Sequence, residues 1–226
     1  VLFDRGQLPG QGCVYLIDDD RDIRAQLGAL LSLLGYDVRT FADPVAFLEA
    51  IKPDDPSVVI LDMTMPQMSG LEVQQNLEMM ADSAAVVLFL SGNSDREQIV
   101  RAMKAGAEDF LWKPVSRKEL SDTVAAAMAR SVDRTEHLRR LRVLRDGLSQ
   151  LSVRERQIYE LMINGHQNKQ IATQLNIRAD TVKKHRTVIC EKFLVSGTPD
   201  LIELARTVGD HFVPTRETSA ELSSNA

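Results

Sequence analysis

A carboxylate closes an uninterrupted apolar run in VVILDMTMPQMSG, residues 58–70, and turn-forming residues follow it at once. Asp62 therefore stands where a buried strand leaves a parallel sheet, the edge at which such sheets bind ligands. The acidic triplet Asp18-Asp19-Asp20 follows the run VYLI in the same way, and two later runs end in Ser91-Gly92 and Lys113-Pro114. Adjacent carboxylates raise one another's pKa unless a cation neutralises them. A hard divalent ion such as Mg2+, bound by a few carboxylates, water and a phosphoryl group, suits that donor set. Each residue also has an ordinary explanation. Aspartates cap helices, as Asp20 or Asp22 would here, and a lysine in a loop is most often solvated. Four segment ends carrying acids, an acid, a hydroxyl and an amine are harder to ascribe to chance.

Those four ends need a scaffold that brings them together. Five apolar runs recur, at residues 14–17, 38–41, 58–61, 86–90 and 110–112. Between them lie helix-period segments. Ile23, Leu27, Leu30, Leu31 and Leu34 recur at threes and fours and stop at Gly35. Asp43-Pro44 reads as a cap and first-turn proline. Further helices are expected at 71–80 and 95–105 and from Ser116 onward. Strict alternation of strand and helix implies an α/β fold, a doubly wound five-stranded parallel sheet. Val100, Met103 and Ala107 form an apolar stripe on the fourth helix, read as core or dimer packing.

Length and charge argue for two domains. The chain has 226 residues and a formal charge of -5. Residues 1–130 carry 12 Lys/Arg against 20 Asp/Glu, or -8, while 131–226 carry 15 against 12, or +3, with all four histidines. The acidic half is a poor partner for nucleic acid and the basic half a better one. The longest apolar run, residues 84–90, is strand length, far below the roughly 18 residues of a membrane span. The N-terminal stretch lacks the pattern of a secretory signal. Two distant cysteines, Cys13 and Cys190, suggest no disulfide framework, so a reducing cytoplasm is expected.

Between residues 115 and 146 there is no Gly or Pro, and Val124, Met128, Val132, Leu138, Leu141, Leu144, Leu148 and Leu151 recur mostly at threes and fours. One long helix fits, with a break possible between Val132 and Leu138. Arg139, Arg140, Arg142 and Arg145 read as its solvated face.

Residues 152–210 read as four helices. Ser152 and Glu155 make a capping box, Gly165 ends the first helix, and Asn168 caps the second. Asn176 supplies a left-handed turn before a third helix with Thr181, Val182, Val188, Ile189 and Phe193 on its apolar side. Two short helices across a four-residue turn make a helix-turn-helix. The second of them carries Lys183, Lys184, His185, Arg186 and Lys192, cations that reach phosphates or base edges from a major groove. A merely basic surface helix reads the same way.

Residues 13–130 resemble the receiver domain of two-component response regulators. The resemblance implies that Asp62 accepts a phosphoryl group from a sensor histidine kinase. It further implies that Asp18 and Asp19 hold Mg2+ together with Asp62 and the Thr64 backbone carbonyl. Ser91 would hold the new phosphoryl group, Phe110 would be the aromatic switch, and Lys113 would pair with the phosphoryl group from a cis Lys113-Pro114 bond. The segment LSVRERQIYELMINGHQNKQIATQLNIRADTVKKHRTVICEKF is similar to LuxR/FixJ-type DNA-binding domains. By position, Lys183, Lys184 and Thr187 would face bases and Asn168 and Lys169 would face phosphates, with Thr181 and Arg186 beside them. The last helix, from Thr198, would be a dimer contact. One departure is Arg178, where relatives usually carry a capping serine.

The whole resembles NarL/FixJ-type regulators, closest in pattern to the FixJ and TodT/StyR branch. It implies a receiver at 13–130, a helical linker at 131–150, a LuxR-type domain at 151–212 and a disordered tail at 213–226. The implied protein is a cytoplasmic regulator rather than an enzyme. Its implied partners are promoter half-sites, a sensor kinase, RNA polymerase and a second copy of itself on phosphorylation, with no membrane partner. Three rivals stand beside it: a receiver that dimerises without phosphorylation, a phosphohydrolase using Asp62, and a C-terminal module for protein or RNA. The hydrolase would want a second acid two residues after Asp62, where this chain has Thr64.

Overall fold

The computed structural model describes residues 12–80, 83–92 and 96–209, which divide into two compact units with the boundary between Leu138 and Arg139. The expected tail and the N-terminal stretch lie outside the described residues, as does Asp95. The first unit alternates strictly: β1 (Cys13–Ile17), α1 (Arg21–Leu33), β2 (Asp37–Phe41), α2 (Pro44–Ala50), β3 (Ser57–Asp62), α3 (Gly70–Met79), β4 (Val86–Ser91), α4 (Arg96–Lys104) and β5 (Asp109–Trp112). The helix α5 (Arg117–Gln150) follows. All strands are parallel, in the order β2-β1-β3-β4-β5. Strand order reverses direction between β1 and β3, so a crevice opens beyond their carboxyl ends.

Local chemistry sets the helix starts. Asp20 caps α1, its Oδ1 accepting from the Asp22 amide at 2.8 Å. Asp43 caps α2 ahead of Pro44, and Ser69 and Glu72 form a capping box for α3. β3 and β4 are buried at every residue. Tyr15, Ile17, Val59, Leu61, Val87 and Phe89 face a core that includes Phe47, Val73, Leu77 and Ala102, from α2, α3 and α4. Val14, Leu16, Val58, Ile60, Leu88 and Leu90 face the other, with Leu31 from α1 and Leu120, Val124 and Met128 from α5. The expected apolar stripe is split: Ala107, just beyond α4, is buried, while Val100 and Met103 are exposed.

α5 runs without the break that the spacing left possible. Ser116 caps its start, its Oγ accepting from Glu119 N at 3.2 Å. Ser131 is fully buried, its Oγ accepting from Ser57 N at 2.8 Å and donating to Ala84 O at 2.9 Å. A hydroxyl thus fastens α5 to the entry of β3 and to the segment before β4.

The second unit contains α6 (Val153–Ile163), α7 (Asn168–Gln174), α8 (Ala179–Lys192) and α9 (Thr198–Gly209). Its core comprises Leu144, Ile158, Tyr159, Met162, Ile171, Val182, Ile189, Phe193 and Leu201. The Tyr159 and Phe193 rings stack at 5.1 Å. The Ser152–Glu155 capping box is present. Gln167, not Asn168, caps α7: Asn168 already has helical backbone, and the Gln170 side chain accepts from Gln167 N at 2.7 Å. Asn176 has φ 50°, as its place in the turn requires. Arg178 caps α8 without a side-chain hydrogen bond.

Two residues here are sterically pointed. Leu194 has φ 55° and is 83% exposed, so it holds a left-handed backbone without burying its side chain. A Cβ on Gly147 would lie 2.5 Å from the Phe193 ring. Leu194→Gly is therefore expected to stabilise the second unit by about 1 kcal/mol. Gly147→Ala is expected to destabilise it by roughly 1–3 kcal/mol. Thermal and denaturant unfolding of the full chain, followed by circular dichroism, checks both signs.

Candidate functional site

The crevice beyond β1 and β3 gathers most of the residues singled out by their position at strand ends. The Lys113 Nζ donates to Asp18 Oδ2 at 2.7 Å and to Asp62 Oδ1 at 2.6 Å. Asp18 is fully buried and Asp62 nearly so. Their remaining oxygens are also engaged: Asp18 Oδ1 accepts from Asp20 N at 2.9 Å, and Asp62 Oδ2 from Thr64 N at 2.9 Å. Ser91 is buried at the end of β4, and its carbonyl accepts from Lys113 N at 2.8 Å, which carries the ladder one residue past β5. The Lys113-Pro114 bond is cis. Asp19 is exposed beside Asp18. Phe110 is half-buried and stacks on Phe89, with centroids 5.2 Å apart and planes at 20°.

Burial pushes the Asp62 carboxyl above its ordinary pKa, and the Asp18 charge adds to that. The Lys113 hydrogen bond and charge, with the Thr64 amide, oppose the rise without cancelling it. For Lys113, burial pulls the ammonium down, but Asp18 and Asp62 together outweigh it and hold its pKa above the usual value. Two buried carboxylates thus share one cation, and Asp19 adds a further negative charge nearby. Among the described residues no three acidic, histidine or cysteine side chains group closely enough to enclose a metal. The carboxylate oxygens of Asp18 and Asp62 are donors of the kind that Mg2+ takes one or two of while keeping several waters.

Arg24 was not among the residues singled out from sequence. Its Nη1 donates to Asp18 O at 2.6 Å, holding the acidic loop from within α1. Its position four residues after the capping Asp20 was the available signal.

In the second unit, Lys183, Lys184 and Thr187 lie on the exposed side of α8, opposite buried Val182 and Ile189. Lys169 is exposed on α7, and Asn168 and Thr181 are half-buried. Arg186 behaves differently: it donates to His166 O at 3.3 Å and to Thr198 Oγ1 at 2.7 Å. Asn168, Lys183, Arg186, Thr187 and Thr198 line an open cleft of about 370 Å³. Lys192, counted with the cations from sequence, is committed to the fold. Its Nζ donates to Glu155 Oε2 at 2.7 Å and to Gln150 O at 3.0 Å. The Lys192 hydrogen bond, then the Ser152 hydroxyl and amide, hold the Glu155 carboxyl down at about 2.

Comparison with known proteins places these two sites in context. The family model described as "Response regulator receiver domain" matches residues 14–125. That described as "Bacterial regulatory proteins, luxR family" matches 149–205. The chain is 34% identical to the response regulator protein TodT of Pseudomonas putida, over 87% of this chain and 86% of that protein. It is also 34% identical to the transcriptional regulatory protein FixJ of Azorhizobium caulinodans, over 87% and 92%. Among solved structures, the response regulator StyR matches with a TM-score of 0.72 at 36% identity, covering 86% of this chain and 98% of that one.

Two titrations follow from these charges. Lys113→Met removes the larger part of what opposes the effect of burial on Asp62, so the Asp62 pKa is expected to rise further, read by carboxyl-carbon NMR titration. Glu155 has a folded pKa below its unfolded value near 4.3, so its contribution is complete above that value and lost as pH falls towards 2. Glu155→Gln is expected to cost up to about 3 kcal/mol at pH 7. In denaturant titrations across pH, the gap from the unsubstituted chain should close between pH about 4.3 and about 2.

Proposed function

Because this chain belongs to the two-component response regulators that join a receiver domain to a LuxR-type helix-turn-helix domain, we propose that it turns phosphorylation of Asp62 into binding of promoter DNA. The observation that carries this reading is the bridge from Lys113 Nζ to both Asp18 and Asp62, at 2.7 and 2.6 Å, on the sheet edge where β1 and β3 part.

Asp62 is the phosphoacceptor. A phosphoryl group leaves a histidine nitrogen of a sensor kinase as the phosphorus–nitrogen bond breaks, and a new bond forms to an Asp62 carboxylate oxygen. Asp18, Asp19, Asp62 and the Thr64 carbonyl are the groups that would hold Mg2+. Bound there, the ion supplies positive charge against the oxygens of the transferring group. Lys113 supplies the same from the protein, already placed by the β5 ladder, so little reorganisation is needed. The acidic loop is held by Arg24 and by the Asp20 amide.

The product places new charge and acceptor oxygens beside Ser91. Ser91 turns to bond them, Phe110 moves on its Phe89 stack, and the surface of α4 and β5 changes. Val100, Met103 and Trp112 are exposed there, and they are the surface through which the phosphorylated chain pairs with a second copy.

The second unit reads DNA. Lys183, Lys184 and Thr187 face the bases of a promoter half-site. Asn168, Lys169 and Thr181 contact the backbone, with Arg186 placed between a phosphate role and its present bonds to His166 and Thr198. The domains are read as 13–130, a linker at 131–150, and 151–212, ahead of a tail at 213–226 that lies outside the described residues. RNA polymerase is the further partner of a DNA-bound regulator. Among the described residues no helix is long and apolar enough to cross a membrane, and the cytoplasm is the proposed compartment.

Incubation with Mg2+ and a small acyl phosphate is expected to add one phosphoryl group to the chain, detected by mass. Asp62→Asn or chelation of Mg2+ abolishes the adduct. Phosphorylation is expected to raise affinity for duplex promoter DNA, and Lys183→Ala or Lys184→Ala to lower it by about tenfold each, with a shallower salt dependence. An unlabelled Asp62, or DNA affinity indifferent to Lys183 and Lys184, would sink the proposal.

A further inference from the structure

We infer that Gln74 is the pivot of α4, the residue that fixes how firmly phosphorylation at Asp62 is coupled to the α4–β5 face. This rests on the reading of Asp62, Ser91 and Phe110 given above.

Gln74 lies on α3 and is 2% exposed. Its Nε2 donates to Ala102 O at 3.1 Å and also to Ala105 O. Both acceptors are carbonyls, so only the NH2 end of the amide can face them. They belong to the last turn of α4 and the residue that follows it, where a helix leaves carbonyls unpaired. That turn is closed by Ala107 N to Ala102 O at 3.0 Å and Gly106 N to Met103 O at 3.1 Å, with Gly106 at φ 79°. Gln74 therefore adds a bond from another element to a terminus that has already closed on itself.

The rest of α4 is less buried. Of its described residues only Ala102 is buried; Gln98 and Ile99 are half-buried, and Val100 and Met103 are 44% and 45% exposed. Among the described residues, the helix is most deeply buried at its C-terminal end, by Ala102, Ala107 and the Gln74 amide. A rod fastened at one end moves by swinging about that end.

Gln74 also carries an unpaired oxygen: its Oε1 is buried without a hydrogen-bond partner. An unpaired buried acceptor is a standing destabilisation that an apolar side chain of the same size avoids. What an apolar side chain cannot supply is the two-carbonyl donor. The donor is therefore what the position provides, and its effect is on where α4 can go rather than on net stability.

The test uses the full chain and Gln74→Met, which keeps volume and removes the donor, with Gln74→Glu as a second variant that leaves only acceptors. Three quantities are measured: the rate of Asp62 phosphorylation by a small acyl phosphate with Mg2+, the self-association constant with and without phosphorylation, and hydrogen exchange of the amides at 105–107. Gln74→Met is expected to speed exchange by about tenfold or more. It should leave the phosphorylation rate within about twofold and shrink the phosphorylated-to-unphosphorylated ratio of association constants by at least about fivefold. An unchanged ratio with faster exchange makes Gln74 a packing residue, and unchanged exchange means it clamps nothing. Either result overturns the inference, as does unfolding of both variants. If the unsubstituted chain takes up no phosphoryl group or does not change its association, the function proposed above has failed and this inference goes with it. If it does both and Gln74→Met behaves identically, this inference alone has failed.

Discussion

Two buried carboxylates balanced by one ammonium is the constraint from which the receiver-like unit follows. Burying Asp18 and Asp62 side by side is costly unless a cation is held at hydrogen-bonding distance. Lys113 meets that need only because β5 pairs with β4 and its ladder extends to the Ser91 carbonyl. Asp18 and Asp62 are neighbours only because β1 and β3 are paired in the sheet. The order of strands, and the helices that cover both faces, are thus prerequisites of a single charge cluster. With Asp19 alongside, that cluster is still short of positive charge, which is the property the proposed Mg2+ site and phosphoryl transfer would use.

Much of this was readable from residues. Runs of three to five residues located all five strands, and four of those runs end in chemical side chains. Asp20, Asp43, Ser152 and Glu155 announced helix starts through their acceptors. Asn176 announced a left-handed turn. Hidden from that reading were polar side chains whose partners lie far along the chain. Ser131 bonds Ser57 and Ala84, 74 and 47 residues away, and Gln74 bonds Ala102 and Ala105. On a helix such residues look like ordinary surface positions, and only the fold reveals that their side of the helix is buried. The assignment of Asn168 as a cap missed by one residue because Gln167 performs that part with a glutamine three positions on, a pairing less diagnostic than serine with glutamate.

The basic residues of α8 show the same limit in electrostatic form. Their composition suggested one surface, but the fold divides them. Lys192 neutralises Glu155, which itself closes the capping box, so this cation is structural. Arg186 braces the start of α9 and the end of the turn after α6. Lys183 and Lys184 are left exposed one turn before Thr187, which is the stripe a major groove can receive. Charge counted along a helix overstates the charge available to a ligand, because a fold of this size recruits some cations to hold itself together.

The same site geometry argues against the hydrolase that the sequence leaves in view. In the rival reading a phosphohydrolase using Asp62 as nucleophile wants an acid two residues after it to protonate the leaving group. Thr64 occupies that position and spends its amide on Asp62 Oδ2. The other buried acid, Asp18, is bonded to Lys113 and to the Asp20 amide, which makes it an electrostatic partner rather than a free base. Under the proposed function, a change at Ser91 and Phe110 would have to persist until a second copy and a half-site are found. The bonds that count against a hydrolase at Asp62 are the bonds on which the proposed switch depends.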